Sequence, residues 1–181
     1  MKRTITMIAL VFAVLVLAGT THGQTFALTG TTNVSVTVAT EAALSVSTAT
    51  STLTAAAGTF ANDFTGTTAL LYKIRTTKAA GTGSITARVT TDFAAGGPSV
   101  TTPPSTGDAL TYNCTVAAPG TKCADGQIAS TAAATPVASF GADAKSLKAG
   151  TAASVAWTLT NDPLYSTGSY SATVTFTISA T

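Results

Sequence analysis

The chain has 181 residues, of which 9% are charged; nine basic and seven acidic residues and a single histidine give a formal net charge of +2. Setting aside Lys2, Arg3 and His22, which stand in a leader-like start, basic and acidic residues balance, so no Lys/Arg cluster remains to neutralise a row of phosphates and nucleic acid is excluded as a partner. The same subtraction removes the only imidazole, and with it Ser-His-Asp or Cys-His catalysis and a histidine metal site, so no enzyme activity, cofactor or small-molecule substrate is expected.

Lys2 and Arg3, the apolar run Met7 to Ala18 and the small residues Gly19 to Gly23 have the order of a secretory signal peptide, residues 1–23, cleaved after Gly23 or, as a second choice, after Ala18. A run of about twelve apolar residues is short of the roughly twenty that a membrane-spanning helix needs. The chain is therefore read as secreted.

Residues 24–38 form an arm with strict two-residue alternation: Phe26, Leu28, Gly30, Thr32, Val34, Val36 and Val38 share one face. That period predicts a β-strand with one buried face, and at roughly 3.3 Å per residue it would run about 40 Å, long for a strand in a compact domain. Such an arm either completes its own sheet or completes a neighbour's.

Residues 39–181 are read as one domain. Ala42, Leu44 and Val46 keep the alternation; Thr50 to Gly58 is a connection; Phe60 and Phe64 sit among Gly58, Asn62, Asp63 and Gly66 and read as a loop tucking two rings into the core. Leu70, Tyr72 and Ile74 predict one strand, and Ile85, Ala87, Val89, Thr91 and Phe93 predict another after turn residues Ala80 to Gly83. The two are expected to form an antiparallel pair. Ala95 to Gly107, with Gly96-Gly97-Pro98 and Pro103-Pro104, is a surface loop. Strand character returns at Leu110, Tyr112, Cys114 and Val116. Ala124 to Gly150 is weakly patterned, with Ile128, Val137, Phe140 and Leu147 as core candidates. Val155, Trp157 and Leu159 alternate, Asn161-Asp162-Pro163 marks a turn, and Tyr170, Ala172, Val174, Phe176 and Ile178 predict a terminal strand. Abundant β-branched residues, short strands and regular turns predict an all-β, immunoglobulin-like antiparallel β-sandwich.

Little in this domain carries chemistry. Cys114 and Cys123 flank Pro119-Gly120, a turn dipeptide, and in an oxidising compartment they are expected to form a local disulfide closing a hairpin. Glu41 and the aspartates at 63, 92, 108, 125, 143 and 162 are dispersed without D-x-D spacing, so turn capping and loop solvation are expected rather than metal binding. Trp157, between Val155 and Leu159 on one strand face, is expected in the core rather than on a sugar-stacking platform.

The ending Gly168-Ser-Tyr170-Ser-Ala172-Thr-Val174-Thr-Phe176-Thr-Ile178 resembles the last strand of spore coat protein U-like and chaperone-usher pilin subunits, in which a Gly-x-Tyr step enters a terminal alternating strand. The segment Phe26 to Val38 resembles their N-terminal donor strand. Two features depart from that pattern: Glu41-Ala42-Ala43 stands where the family often has a cysteine in the first strand, and Ser171 or Ala172 stands where an acidic residue often follows the tyrosine. The resemblance implies an incomplete sandwich completed by the arm of the next copy. It also implies an assembly chaperone and an outer-membrane usher as partners, with passage through the periplasm to the cell surface. Strand addition supplies main-chain hydrogen bonds, Phe26, Leu28 and Val34 would fill successive pockets, and Gly30 would admit close backbone approach. Head-to-tail addition that does not close gives a fibre. The expected function is thus a non-catalytic structural subunit of an extracellular fibre, pilus or coat. The alternative is a monomeric adhesion module whose loops recognise a glycan or protein.

Overall fold

The computed structural model describes residues 28–55 and 60–181; the leader-like segment, both expected cleavage positions and Phe26 lie outside the described residues. Residues from Thr37 onward form one compact unit, and Leu28 to Val36 belong to a separate one.

The compact unit is built from strands: β1 (Glu41–Val46), β2 (Phe64–Arg75), β3 (Gly83–Thr91), β4 (Thr111–Val116), β5 (Thr121–Lys122), β6 (Gln127–Ile128), β7 (Thr135–Phe140), β8 (Thr151–Leu159) and β9 (Thr173–Ala180). One sheet has the order β1-β2-β8-β4-β6 and the other β5-β7-β3-β9, all pairs antiparallel. The two sheets enclose one core, as expected of a sandwich of immunoglobulin-like type.

Alternation explains which face each strand buries. On β2, Leu70, Tyr72 and Ile74 are buried; on β3, Ile85, Ala87 and Val89; on β8, Ala153, Val155, Trp157 and Leu159. Each fully buried aliphatic side chain is worth roughly 1.5–3 kcal/mol. Two tyrosine hydroxyls remain satisfied inside: Tyr72 donates to Ala117 O at 2.6 Å and Tyr112 to Thr135 Oγ1 at 2.7 Å.

Several expectations are corrected. β2 and β3 do not pair; they lie in opposite sheets with their apolar faces turned to the common core. Their connection is tied down on the way across, with Thr76 Oγ1 donating to Gly141 O, Thr77 N to Thr181 O and Ala80 at φ 58°. Phe64 opens β2 and is half-buried, while Phe60 is 65% exposed, so the two rings are not tucked in together. The weakly patterned region holds β6 and β7. There Val137 and Phe140 are buried, but Ile128 and Leu147 are 60% and 69% exposed. A register shift between Ile85 and Thr86, opposite Pro136, turns consecutive Val137 and Ala138 inward, which hides β7 from a period-two reading.

Cys114 and Cys123 are bonded, with Cα atoms 5.8 Å apart. The bond does not close a hairpin. Cys114 lies on β4, while Cys123 follows β5 and donates its N–H to Val137 O of β7, so the disulfide stitches one sheet to the other.

Leu28 to Val38 forms no strand ladder; regular pairing begins at Glu41. Alternation supplies an apolar face, but a strand also needs a hydrogen-bonded neighbour. Leu28, Val34, Val36 and Val38 are exposed.

Candidate functional site: the seam between β1 and β9

β1 and β9 are the outer strands of opposite sheets, each with a single neighbour among the described residues, and they abut along one side of the sandwich. Half-buried apolar side chains collect there: Ala42 and Leu44 from β1, and Val174, Phe176, Ile178 and Ala180 from β9. Inward positions on inner strands, such as Ile85 and Val155, are fully buried by contrast. A strand with one neighbour covers its apolar row incompletely.

Edge strands of soluble proteins are ordinarily guarded by charge, proline or bulges. β9 reads Thr-Val-Thr-Phe-Thr-Ile-Ser-Ala and has no charge and no proline. The only charge on β1, Glu41, accepts from Arg75 Nη2 at 3.2 Å, and Arg75 Nε–H also donates to Ala39 O at 2.7 Å, fastening the chain where it enters β1. That entry is at the end of the seam where Ala180 lies, because Glu41 pairs with Arg75 and Ala180 with Gly83 across the short β2–β3 connection.

At the opposite end, beyond Val46 and Val174, the seam opens into a cleft of about 980 Å³. Phe64 and Trp157 line it, with Leu53 on one flank and Phe176 on the other. The Trp157 ring lies 5.1 Å from Tyr112 and 6.4 Å from Phe176, centroid to centroid, so the wall is a fixed aromatic cluster. Gly66, paired with Trp157, is required here: a Cβ would stand 2.6 Å from Thr52 O, and only glycine lets the Thr52-Leu53 segment lie over the strand.

Two loops form the rim, residues 92–110 and 160–172. Asp92 organises the first, accepting from the backbone N–H groups of Phe93, Val100 and Thr101 and from the Ser99 and Thr101 hydroxyls. Burial raises its carboxyl, but the bonds from Val100, Thr101 and Phe93 prevail and hold it at about 2. The loops are joined by Ser166 N–H to Gly96 O at 2.8 Å and by the Tyr170 ring against Gly97, where a Cβ would come within 2.4 Å of the ring. They also meet through carboxyls. Asp108 and Asp162 are both buried and interact directly; Ser105 Oγ–H and Leu164 N–H donate to Asp162, and Tyr165 stands beside them. Burial and then the Asp162 neighbour push the Asp108 carboxyl up, whereas hydrogen bonds from Ser105 and Leu164 pull Asp162 down. Burial and the negative aspartates push the Tyr165 phenol up to about 12.

Of the residues singled out in the terminal sequence, Val174, Phe176 and Ile178 line the seam from β9, Ala172 is half-buried just before it, and Tyr170 packs on Gly97 in the rim. Gly30 and Thr32 lie with Leu28 and Val34 in the unpaired, exposed stretch. Trp157 is in the core wall, its indole N–H donated to Thr68 Oγ1. Leu53, Asp108, Asp162 and Tyr165 were not distinguishable by motif: no spacing in the chain announces that two aspartates in separate loops meet. No family model, no curated protein and no solved structure matches this chain.

Proposed function

We propose that this protein is an exported, non-catalytic structural subunit of an extracellular fibre or coat, assembled when the arm of one copy adds to the open seam of the next. The observation that carries this reading is the pairing of two incomplete surfaces in one chain. One is an alternating arm whose Leu28, Val34 and Val36 are exposed; the other is a seam whose β9 edge is unguarded and whose apolar row is half-covered. A strand laid along β9 would receive main-chain hydrogen bonds and bury alternate side chains on Val174, Phe176 and Ile178. The polarity suits a chain of copies. The arm leaves the domain at the Glu41 end, the cleft opens at the Val46 end, and head-to-tail contact of that kind propagates.

A synthetic peptide spanning residues 26–38, titrated into protein lacking residues 24–36, tests this directly. Saturable binding that shifts the fluorescence of Trp157, the chain's only tryptophan, supports strand donation. A peptide in which Val34 and Val36 are aspartate should not bind; equal binding of both peptides contradicts the reading.

A further inference from the structure

We propose that Asp108 and Asp162 form a proton-operated latch that holds the two rim loops of the cleft together and lets them part when both carboxyls ionise. The two side chains come from separate loops, residues 92–110 and 160–172, and each is more than nine-tenths buried. Two carboxylates in contact in such a setting cannot both carry charge without compensation. Among the described residues, no cation acts on either carboxyl. The groups that act on Asp108 are Asp162, Tyr165 and the Ser105 backbone, and those that act on Asp162 are Ser105, the Leu164 N–H and Asp108. Arg75, Lys122 and Lys145 are paired elsewhere, with Glu41, Asp125 and Asp143, and Arg88 donates to Thr131 O.

Hydrogen bonding decides which partner keeps the proton. Asp162 is already an acceptor, on one oxygen from Ser105 Oγ and on the other from Leu164 N at 2.7 Å, so it is the anion of the pair. Asp108 Oδ2 and the Tyr165 hydroxyl are buried, and neither atom has a hydrogen-bond partner. A protonated Asp108 donates to the Asp162 carboxylate and closes the arrangement.

The direction with pH follows. The Asp108 carboxyl is raised above 3.8, so its contribution is fully present below that value and is lost as pH rises through the raised value. The Asp162 carboxyl is lowered, so its contribution is present above 3.8 and disappears as pH falls through the lowered value. The latch is therefore tight just above 3.8 and loosens as pH rises through the raised Asp108 value. Tyr165 does not titrate in that window, since its phenol lies at about 12. Because Asp162, Tyr165 and Ser166 line the cleft, release widens its mouth. The latch rests on the buried carboxyl pair and the convergence of the two loops; its consequence, a seam more open to an arm once Asp108 ionises, rests on the strand-donation reading.

The test is hydrogen exchange of the full secreted chain at pH 4.5 and pH 8, corrected for intrinsic exchange, with acrylamide quenching of Trp157 as a second readout. Wild-type protein should lose protection in residues 96–108 and 160–172 between the two conditions, while β2 and β8 stay protected. Asp108→Asn, whose amide N–H donates to Asp162 at any pH, should stay protected and unquenched at both. Asp108→Ala should be loose at both. If Asp108→Asn fails to fold, the wild-type profile and Asp162→Asn decide: Asp162→Asn, with no charge left to repel, should lose the dependence on pH. Protection that does not change with pH in wild type, or that changes equally in Asp108→Asn, overturns the latch. Recovery of protection at pH 8 on adding calcium alone would assign the pair to a cation and would overturn it too. Filament formation, followed separately, reports on strand donation and leaves these outcomes unaltered.

Discussion

The Trp157 indole N–H donates to Thr68 Oγ1 at 2.9 Å, a bond buried between neighbouring strands β8 and β2. Thr68 Oγ1 is also 2.6 Å from Ser51 Oγ, so one threonine joins the cleft's aromatic wall to the segment that covers it. Thr68→Val keeps the β-branched shape but strands the indole donor, at a cost of about 1–3 kcal/mol. The expected outcome is a lower denaturation midpoint together with a shift of Trp157 emission. A shift in emission with unchanged stability would place the weight of this bond elsewhere.

Because the Cys114–Cys123 bond ties β4 to the strand that follows in the opposite sheet, its loss acts on the docking of the sheets. Removing both cysteines, as Cys114→Ala with Cys123→Ala, is expected to reduce stability by about 2–4 kcal/mol. Urea denaturation of wild type with and without reductant checks this against the variant, and the reduced wild type and the variant should coincide.

Asp92 ties loop 92–102 through backbone and hydroxyl donors that a neutral amide cannot serve equally. Its folded carboxyl lies at about 2 against 3.8 unfolded, so its contribution is present above 3.8 and is lost as pH falls toward 2. Asp92→Asn should be less stable than wild type at pH 6, and the gap should close by pH 2. A gap that persists at pH 2 would mean that shape rather than charge holds the loop.

Val34 and Val36 are exposed, so placing aspartate at both should leave the melting temperature of the domain unchanged. The same double variant should abolish association, since charges cannot be buried against Phe176 and Val174. Thermal melts and size-exclusion chromatography on the two proteins separate these effects.

Most of the sandwich was legible as alternation. Tyr72, Val155 and Trp157 are buried as their strands predict, because an inner strand with one apolar face has a single way to lie. Sheet membership was not legible: β2 and β3 each show the same one-sided pattern, and nothing local distinguishes pairing edge to edge from stacking face to face. β7 escaped because its bulge brings Val137 and Ala138 inward together. The disulfide partners could be read from their spacing and the expectation of export, but the sheets they join could not. The seam was only half visible. The apolar row of β9 is plain in Val174, Phe176 and Ile178, whereas its being an edge is a property of the whole topology. Asp108 and Asp162 met only because two loops converge, and a one-dimensional pattern holds no trace of that.

The most direct measurement of strand donation is negative-stain electron microscopy with size-exclusion chromatography on protein beginning at Gln24, beside a version lacking residues 24–32. The account predicts filaments or oligomers for the first and folded monomers for the second. Folded monomers from both would contradict it and turn attention to the rim loops as the binding surface of a monomeric module.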